Sequence, residues 1–306
     1  MTEPAATTPV PAEPAATEPV ATAPVATQPV VVGYDGSPES LAATEWAAHE
    51  ARRRGCPLDV LQAWPWPRQD VVGSEETYRH AMDQLAFRTE ELRPLAGPGP
   101  VTSSIVPTDP AEALEAAGNS AALLVLGSRG LGAVRGFLVG SVSQEVLRRA
   151  SCPVVLVRAE AAEPEGPVLV GLDLAHPMDD VLAVAFDAAI RRRAPLRVVH
   201  IWSPPVSSEY MALQAVGGLK GELSAVERTR FAEQLDPWRE RHPEVSVTAD
   251  LIQGSRSTAL VDAATGARLL VIGRRIRRTL LGAHLGPVAH AAIHHVHCPV
   301  ALVPHA

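Results

Sequence analysis

The chain has 306 residues, a formal charge of −7 and 46% hydrophobic residues, enough apolar material for two globular cores. No uninterrupted apolar run approaches the roughly 20 residues of a membrane helix, so no membrane role is expected. Glu3, Glu13 and Glu18 supply three of the negative charges, which leaves −4 for the remainder, a field that disfavours nucleic acid as partner.

Residues 1–28 are dominated by Pro, Ala, Thr and Val, and Pro4-Ala5-Ala6-Thr7 nearly recurs as Pro14-Ala15-Ala16-Thr17. This composition predicts a disordered tail with polyproline leanings. It lacks the basic and apolar regions of an export signal, so a cytoplasmic location is expected. Cys56, Cys152 and Cys298 form an odd set without a C-x-x-C pair and read as reduced thiols.

After the tail, apolar runs at Val30 to Tyr34, Leu58 to Ala63, Val101 to Val106, Leu123 to Leu126 and Val154 to Val157 predict strands buried on both faces. Between them, Ser37 is a helix N-cap followed by Pro38 at the first helical position, and Gly55 closes that helix. Asp109 with Pro110 starts another helix. Strand and helix alternating at this rhythm predict right-handed crossovers and a ligand crevice outside the carboxyl ends of the strands.

The fourth strand runs straight into Gly127-Ser128-Arg129-Gly130, and nine residues later Gly140-Ser141 opens a helix through Val142 and Ser143. Glycines let backbone amides approach a polyanion, and the helix start offers unpaired N–H donors with a partial positive charge. Ser141 adds a hydroxyl and Arg129 a counter-charge. A Walker loop needs Gly-Lys-Ser or Gly-Lys-Thr, and the only lysine, Lys220, precedes Gly221 far from this loop. A dinucleotide fingerprint would follow the first strand, not the fourth.

The chain also repeats itself. Val30-Val31-Val32-Gly33-Tyr34-Asp35 returns as Val168-Leu169-Val170-Gly171-Leu172-Asp173, and Ser151-Cys152-Pro153-Val154 returns as His297-Cys298-Pro299-Val300. Two homologous halves of ordinary domain size follow.

With the loop and the repeat together, each half resembles a universal stress protein domain, and the whole resembles tandem members of that family's ATP-binding branch. The pattern G-x-x-G, nine residues, G-S is complete at Gly127, Gly130, Gly140 and Ser141. The resemblance implies an α/β fold of two tandem domains, 29–160 and 166–306. Each would be a five-stranded parallel sheet flanked by helices, adenine nucleotide α-hydrolase-like. It implies ATP, with or without Mg2+, bound at the carboxyl ends of the strands, and a role in stress adaptation or dormancy. Carried onto this chain, it places Asp35 at the adenosine end, where Gly33 keeps the backbone accessible, the main chain of Ala63 at the adenine edge, and Gly127 and Gly130 at ribose and phosphates, with Arg129 beside them as a counter-charge. Gly140, Ser141, Val142 and Ser143 would meet the triphosphate. Asp35 has a plainer alternative, which is capping the helix that begins near Ser37.

The second half departs from this pattern. Gly273 and Gly286 keep the outer spacing, but Ile276 and Pro287 replace the inner glycine and the serine. Proline removes a hydroxyl and a backbone donor, and a β-branched residue resists positive φ, so weaker ATP binding or an altered pose is expected there. Arg274, Arg275, Arg277 and Arg278 offer cations instead. His290 and His294 share a helical spacing, yet lack companion ligands at tight spacing, so no metal site is expected.

No general base stands beside the γ-phosphate position, so the expectation is a nucleotide-responsive module rather than an enzyme; slow hydrolysis by positioning alone is left open. The alternatives are an ATP-hydrolysing α-hydrolase or a structural tandem scaffold. The first would carry an S-G-G-x-D-S loop, where this chain has Gly33-Tyr34-Asp35-Gly36-Ser37. The last strands of both halves are edge candidates, predicting an intramolecular pseudo-dimer, with a homodimer as the other route.

Overall fold

The computed structural model describes residues 28–65, 74–128, 140–159, 164–203, 219–275 and 285–305. The tail at 1–27 and the loop residues 129–139, with Arg129 and Gly130, lie outside them, as do Ile276, Arg277 and Arg278.

The first half runs β1 (Val30–Gly33), α1 (Pro38–Arg54), β2 (Leu58–Ala63), α2 (Ser74–Ala96), β3 (Val101–Val106), α3 (Pro110–Gly118), β4 (Leu123–Ser128), α4 (Ser141–Arg149) and β5 (Val154–Arg158). The second runs β6 (Val168–Leu172), α5 (Asp179–Arg192), β7 (Leu196–Trp202), α6 (Leu219–Arg241), β8 (Val247–Gln253), α7 (Arg256–Ala263), β9 (Leu269–Arg275), α8 (Pro287–His295) and β10 (Val300–His305).

Local chemistry explains the boundaries. Ser37 Oγ accepts from the Ser40 amide at 3.2 Å and caps α1, while Gly55 ends it with φ of 62°, where a side chain would be strained. Asp109 caps α3 through the Ala111 amide at 2.9 Å.

All ten strands form one sheet in the order β3-β2-β1-β4-β5-β10-β9-β6-β7-β8. Every pairing within a half is parallel, and the halves meet where β5 and β10 pair antiparallel, with Val155 opposite Ala301. The two last strands therefore cover each other's open edge within one chain, the intramolecular form of the expected pairing. One face of the sheet is covered by α1, α2, α5 and α6, the other by α3, α4, α7 and α8, and each apolar layer is continuous across both halves.

The expectation that every first-half strand is buried on both faces fails at β3. Thr102, Ser103 and Ser104 are exposed because β3 is the outer edge of the sheet, and β2 beside it alternates buried and half-buried positions.

Two further devices join the halves. Glu50 of α1 and Arg192 of α5 pair at 2.7 Å with side chains only 1% exposed, flanked by Arg54 on Asp187 at 3.1 Å. On the other face, Arg158 donates to the Ile293 carbonyl at 3.0 Å and Arg274 donates to the Ala150 carbonyl, so each half sends an arginine to the last turn or end of a helix in the other.

Candidate functional site

Within the first half the strand order is β3-β2-β1-β4-β5, so the chain leaves β1 toward one side and β4 toward the other. A crevice opens at such a switch point, at the carboxyl ends of the two strands. Gly33, Tyr34 and Asp35 lie at the end of β1, Gly127 and Ser128 at the end of β4, and Ala63 at the end of β2 opposite Val106.

The glycines differ in what they accommodate. A side chain at Gly127 would place its Cβ 2.7 Å from the Glu39 carbonyl carbon and 2.9 Å from the Ser40 nitrogen, so this glycine lets the start of α1 rest directly on β4. At Gly140 a Cβ would meet nothing within 4 Å. Among the described residues, that glycine faces open space before α4.

The start of α4 is unlike those of α1 and α3. Gly140 stands at the cap with no side chain to accept the first amides, and Ser141 is exposed. The Gln144 amide returns to the Gly140 carbonyl at 3.0 Å, which leaves the amides of Ser141, Val142 and Ser143 as the first-turn donors. Ser143 is buried and its Oγ lies 3.5 Å from the Gly127 carbonyl, tying this donor cluster to the end of β4. Thus Gly127, Gly140, Ser141, Val142 and Ser143 come together.

Asp35 is exposed, and its Oδ1 accepts from the Ser37 amide at 3.0 Å and the Ser37 hydroxyl at 2.5 Å. The carboxylate thus braces the helix-capping serine and reaches solvent at the crevice. Asp35 does not itself cap α1, since Ser37 is the N-cap; it holds that serine in place. Ser128 escapes sequence reasoning: it is buried, and its Oγ has no hydrogen-bond partner among the described residues. Its place directly after Gly127 was the available signal.

The family model for the universal stress protein family matches residues 26–158 and 166–304. The chain belongs to the universal stress protein family. Among its relatives, Universal stress protein Rv2005c of Mycobacterium tuberculosis (strain H37Rv) is 35% identical over 287 residues, covering 88% of this chain and 95% of the relative. Universal stress protein Rv2623 of the same organism is 33% identical over 284 residues, covering 88% and 94%. A crystal structure of a universal stress protein from Archaeoglobus fulgidus shares the fold with a TM-score of 0.65 at 18% identity, covering 90% of this chain and 98% of that one.

The second copy of this universal stress protein fold has the matching switch point between β6 and β9. Asp173, the counterpart of Asp35, accepts from the Ala175 amide at 3.2 Å and from His176 Nδ1 at 2.9 Å. Arg275 Nη2 lies 2.5 Å from His176 Nε2 and 3.8 Å from Asp173. A side chain at Gly273 would meet His305 Nε2 at 2.6 Å, so a histidine fills the place that backbone occupies beside Gly127.

His290 and His294 have ring centroids 4.3 Å apart, but no group of three His, Cys, Asp or Glu suited to a metal occurs among the described residues. All three cysteines are buried and unbridged. No helix among the described residues is long and apolar enough to cross a membrane.

Proposed function

We propose that the first crevice binds an adenine nucleotide, ATP foremost, and that the protein acts as a nucleotide-responsive module in stress adaptation or dormancy. The observation that carries this reading is the donor cluster at Gly140 to Ser143, which among the described residues has no side-chain cap and is open at Gly140, and which is tied to the end of β4 at the switch point. Amides at a helix start bind phosphate oxygens without any lysine. Ser141 adds a hydroxyl, Arg129 and Gly130 complete the loop motif between the two tied ends, and Mg2+ would enter on the nucleotide's own oxygens.

At the other end, Asp35 supplies an acceptor for ribose or adenine donors, with Gly33 keeping the backbone accessible and the main chain of Ala63 at the adenine edge. The only carboxylate in this set is Asp35, at the adenosine end, so no residue of the set serves as base beside the γ-phosphate. ATP then acts by shifting the balance of conformers for which it has different affinity.

Mass spectrometry of the small molecules released on denaturing freshly purified protein tests this reading. ATP or another adenine nucleotide should be released from the wild type and be lost from Ser141→Pro. Release of no nucleotide, or of equal amounts from both, would refute it.

A further inference from the structure

The sheet ends on two outer edges, β3 and β8, and they are guarded differently. β8 carries Asp250, which pairs with Arg197 at 2.7 Å, and Arg228 and Arg239 line the groove between β8 and α6. Charges at an edge keep it from pairing with another chain. β3 runs Val101-Thr102-Ser103-Ser104-Ile105-Val106, with neither charge nor proline, and its three central residues are exposed.

The outward groups of β3 follow from its ladder. The Pro100 carbonyl accepts from the Leu58 amide at 3.0 Å, and the Val106 carbonyl accepts from the Trp64 amide at 2.8 Å. Alternate residues of a parallel strand serve one neighbour, so the even-numbered residues bond toward β2, and Val101, Ser103 and Ile105 present their amides and carbonyls outward. No strand among the described residues takes them up. These positions are symmetric about Ser103. An antiparallel copy centred there sets Ser103 opposite Ser103 and each Val101 opposite an Ile105, every pair exchanging both backbone hydrogen bonds.

The same register brings α2 to the junction. Phe87 is 68% exposed, the most exposed large apolar side chain among the described residues, and it lines a groove of about 510 Å³ together with Val101 and Ser103. A two-fold axis at Ser103 therefore brings the Phe87 rings of two copies together over the new strand pair. A second copy of this chain satisfies the backbone edge and covers the ring at once, whereas a lone extended peptide supplies only the strand. The seam within the chain already has this construction, with β5 and β10 antiparallel and α1 joined to α5 over them.

We propose that the β3 edge and the Phe87 face of α2 form a two-fold interface with a second copy of the chain, joining two sheets into one. This interface is separate from the β5–β10 seam and does not depend on the nucleotide reading of the first crevice.

Sedimentation equilibrium of the full chain over a micromolar concentration series tests it. A monomer–dimer equilibrium is expected. Ser103→Pro removes an outward amide at an edge position, where proline is tolerated, and should raise the dimer dissociation constant about tenfold or more. Phe87→Glu sets two carboxylates against each other at the two-fold axis and should do the same. Because Phe87 is exposed, that variant reports on association even where Ser103→Pro fails to fold. A chain that stays monomeric, a dimer undiminished in Phe87→Glu, or an open-ended series of oligomers, the mark of β3 meeting β8, would each overturn the proposal.

Discussion

At the scale of single residues, two glycines of one motif serve different ends. Gly127 is glycine because backbone of α1 lies where its side chain would go, and backbone cannot move aside as a flexible side chain can. Gly127→Ala should therefore destabilise the fold by about 1–3 kcal/mol, read as a lowered urea midpoint. Gly140→Ala adds a methyl group to open space at φ of −59° and should leave that midpoint within about 0.5 kcal/mol of wild type. The cysteines belong to this scale too. Burial raises the pKa of all three thiols, that of Cys298 to about 11. At pH 8 the folded chain should react with a thiol reagent far more slowly than the urea-unfolded chain, where thiolate is plentiful. Equal rates would show these sites to be open.

At the scale of elements, the joint between α1 and α5 rests on a buried ion pair. Burial raises the Glu50 pKa, but Arg192, Arg54 and Arg53 together outweigh it and hold the carboxyl below the ordinary range. A depressed carboxylate contributes stability that is complete above its unfolded value of about 4.3 and lost as pH falls through the lower folded value. Glu50→Gln should flatten that acid limb of the stability profile. Arg192→Ala leaves a buried carboxylate short of its partner and should cost about 3–5 kcal/mol by urea unfolding at pH 7. Much of the element plan was legible beforehand where local chemistry decides it. Ser37, Pro38 and Gly55 bracket α1, Asp109 with Pro110 starts α3, and the apolar run through Leu126 leads to the glycine loop. What periodicity does not reveal is position within the sheet, which is why β3 read as a central strand although it is an edge. The Glu50–Arg192 pair, 142 positions apart in the chain, leaves no local pattern at all.

At the scale of the whole molecule, the internal repeat foretold the β5–β10 seam, because two equivalent edges in one chain can cover each other. Removing residues 166–306 uncovers β5 and strips α1 of Arg192, so the remaining half should form a homodimer or aggregate in sedimentation; a well-behaved monomer would count against the seam's importance. The residues of the first switch point were legible as a spaced motif, and the fold brings Gly127, Gly140, Ser141, Val142 and Ser143 together at the end of β4. The second crevice was not legible in this way, since its cavity depends on side chains from β7, β9, α7 and α8 that meet only in the fold. The two halves thus share one architecture and differ in the charge and donors at their switch points. The most direct test of the central claim is calorimetric titration of nucleotide-free full-length protein with ATP. One tight site per chain, abolished by Ser141→Pro with the urea midpoint preserved, is the predicted result. Undiminished ATP binding in that variant would contradict the account.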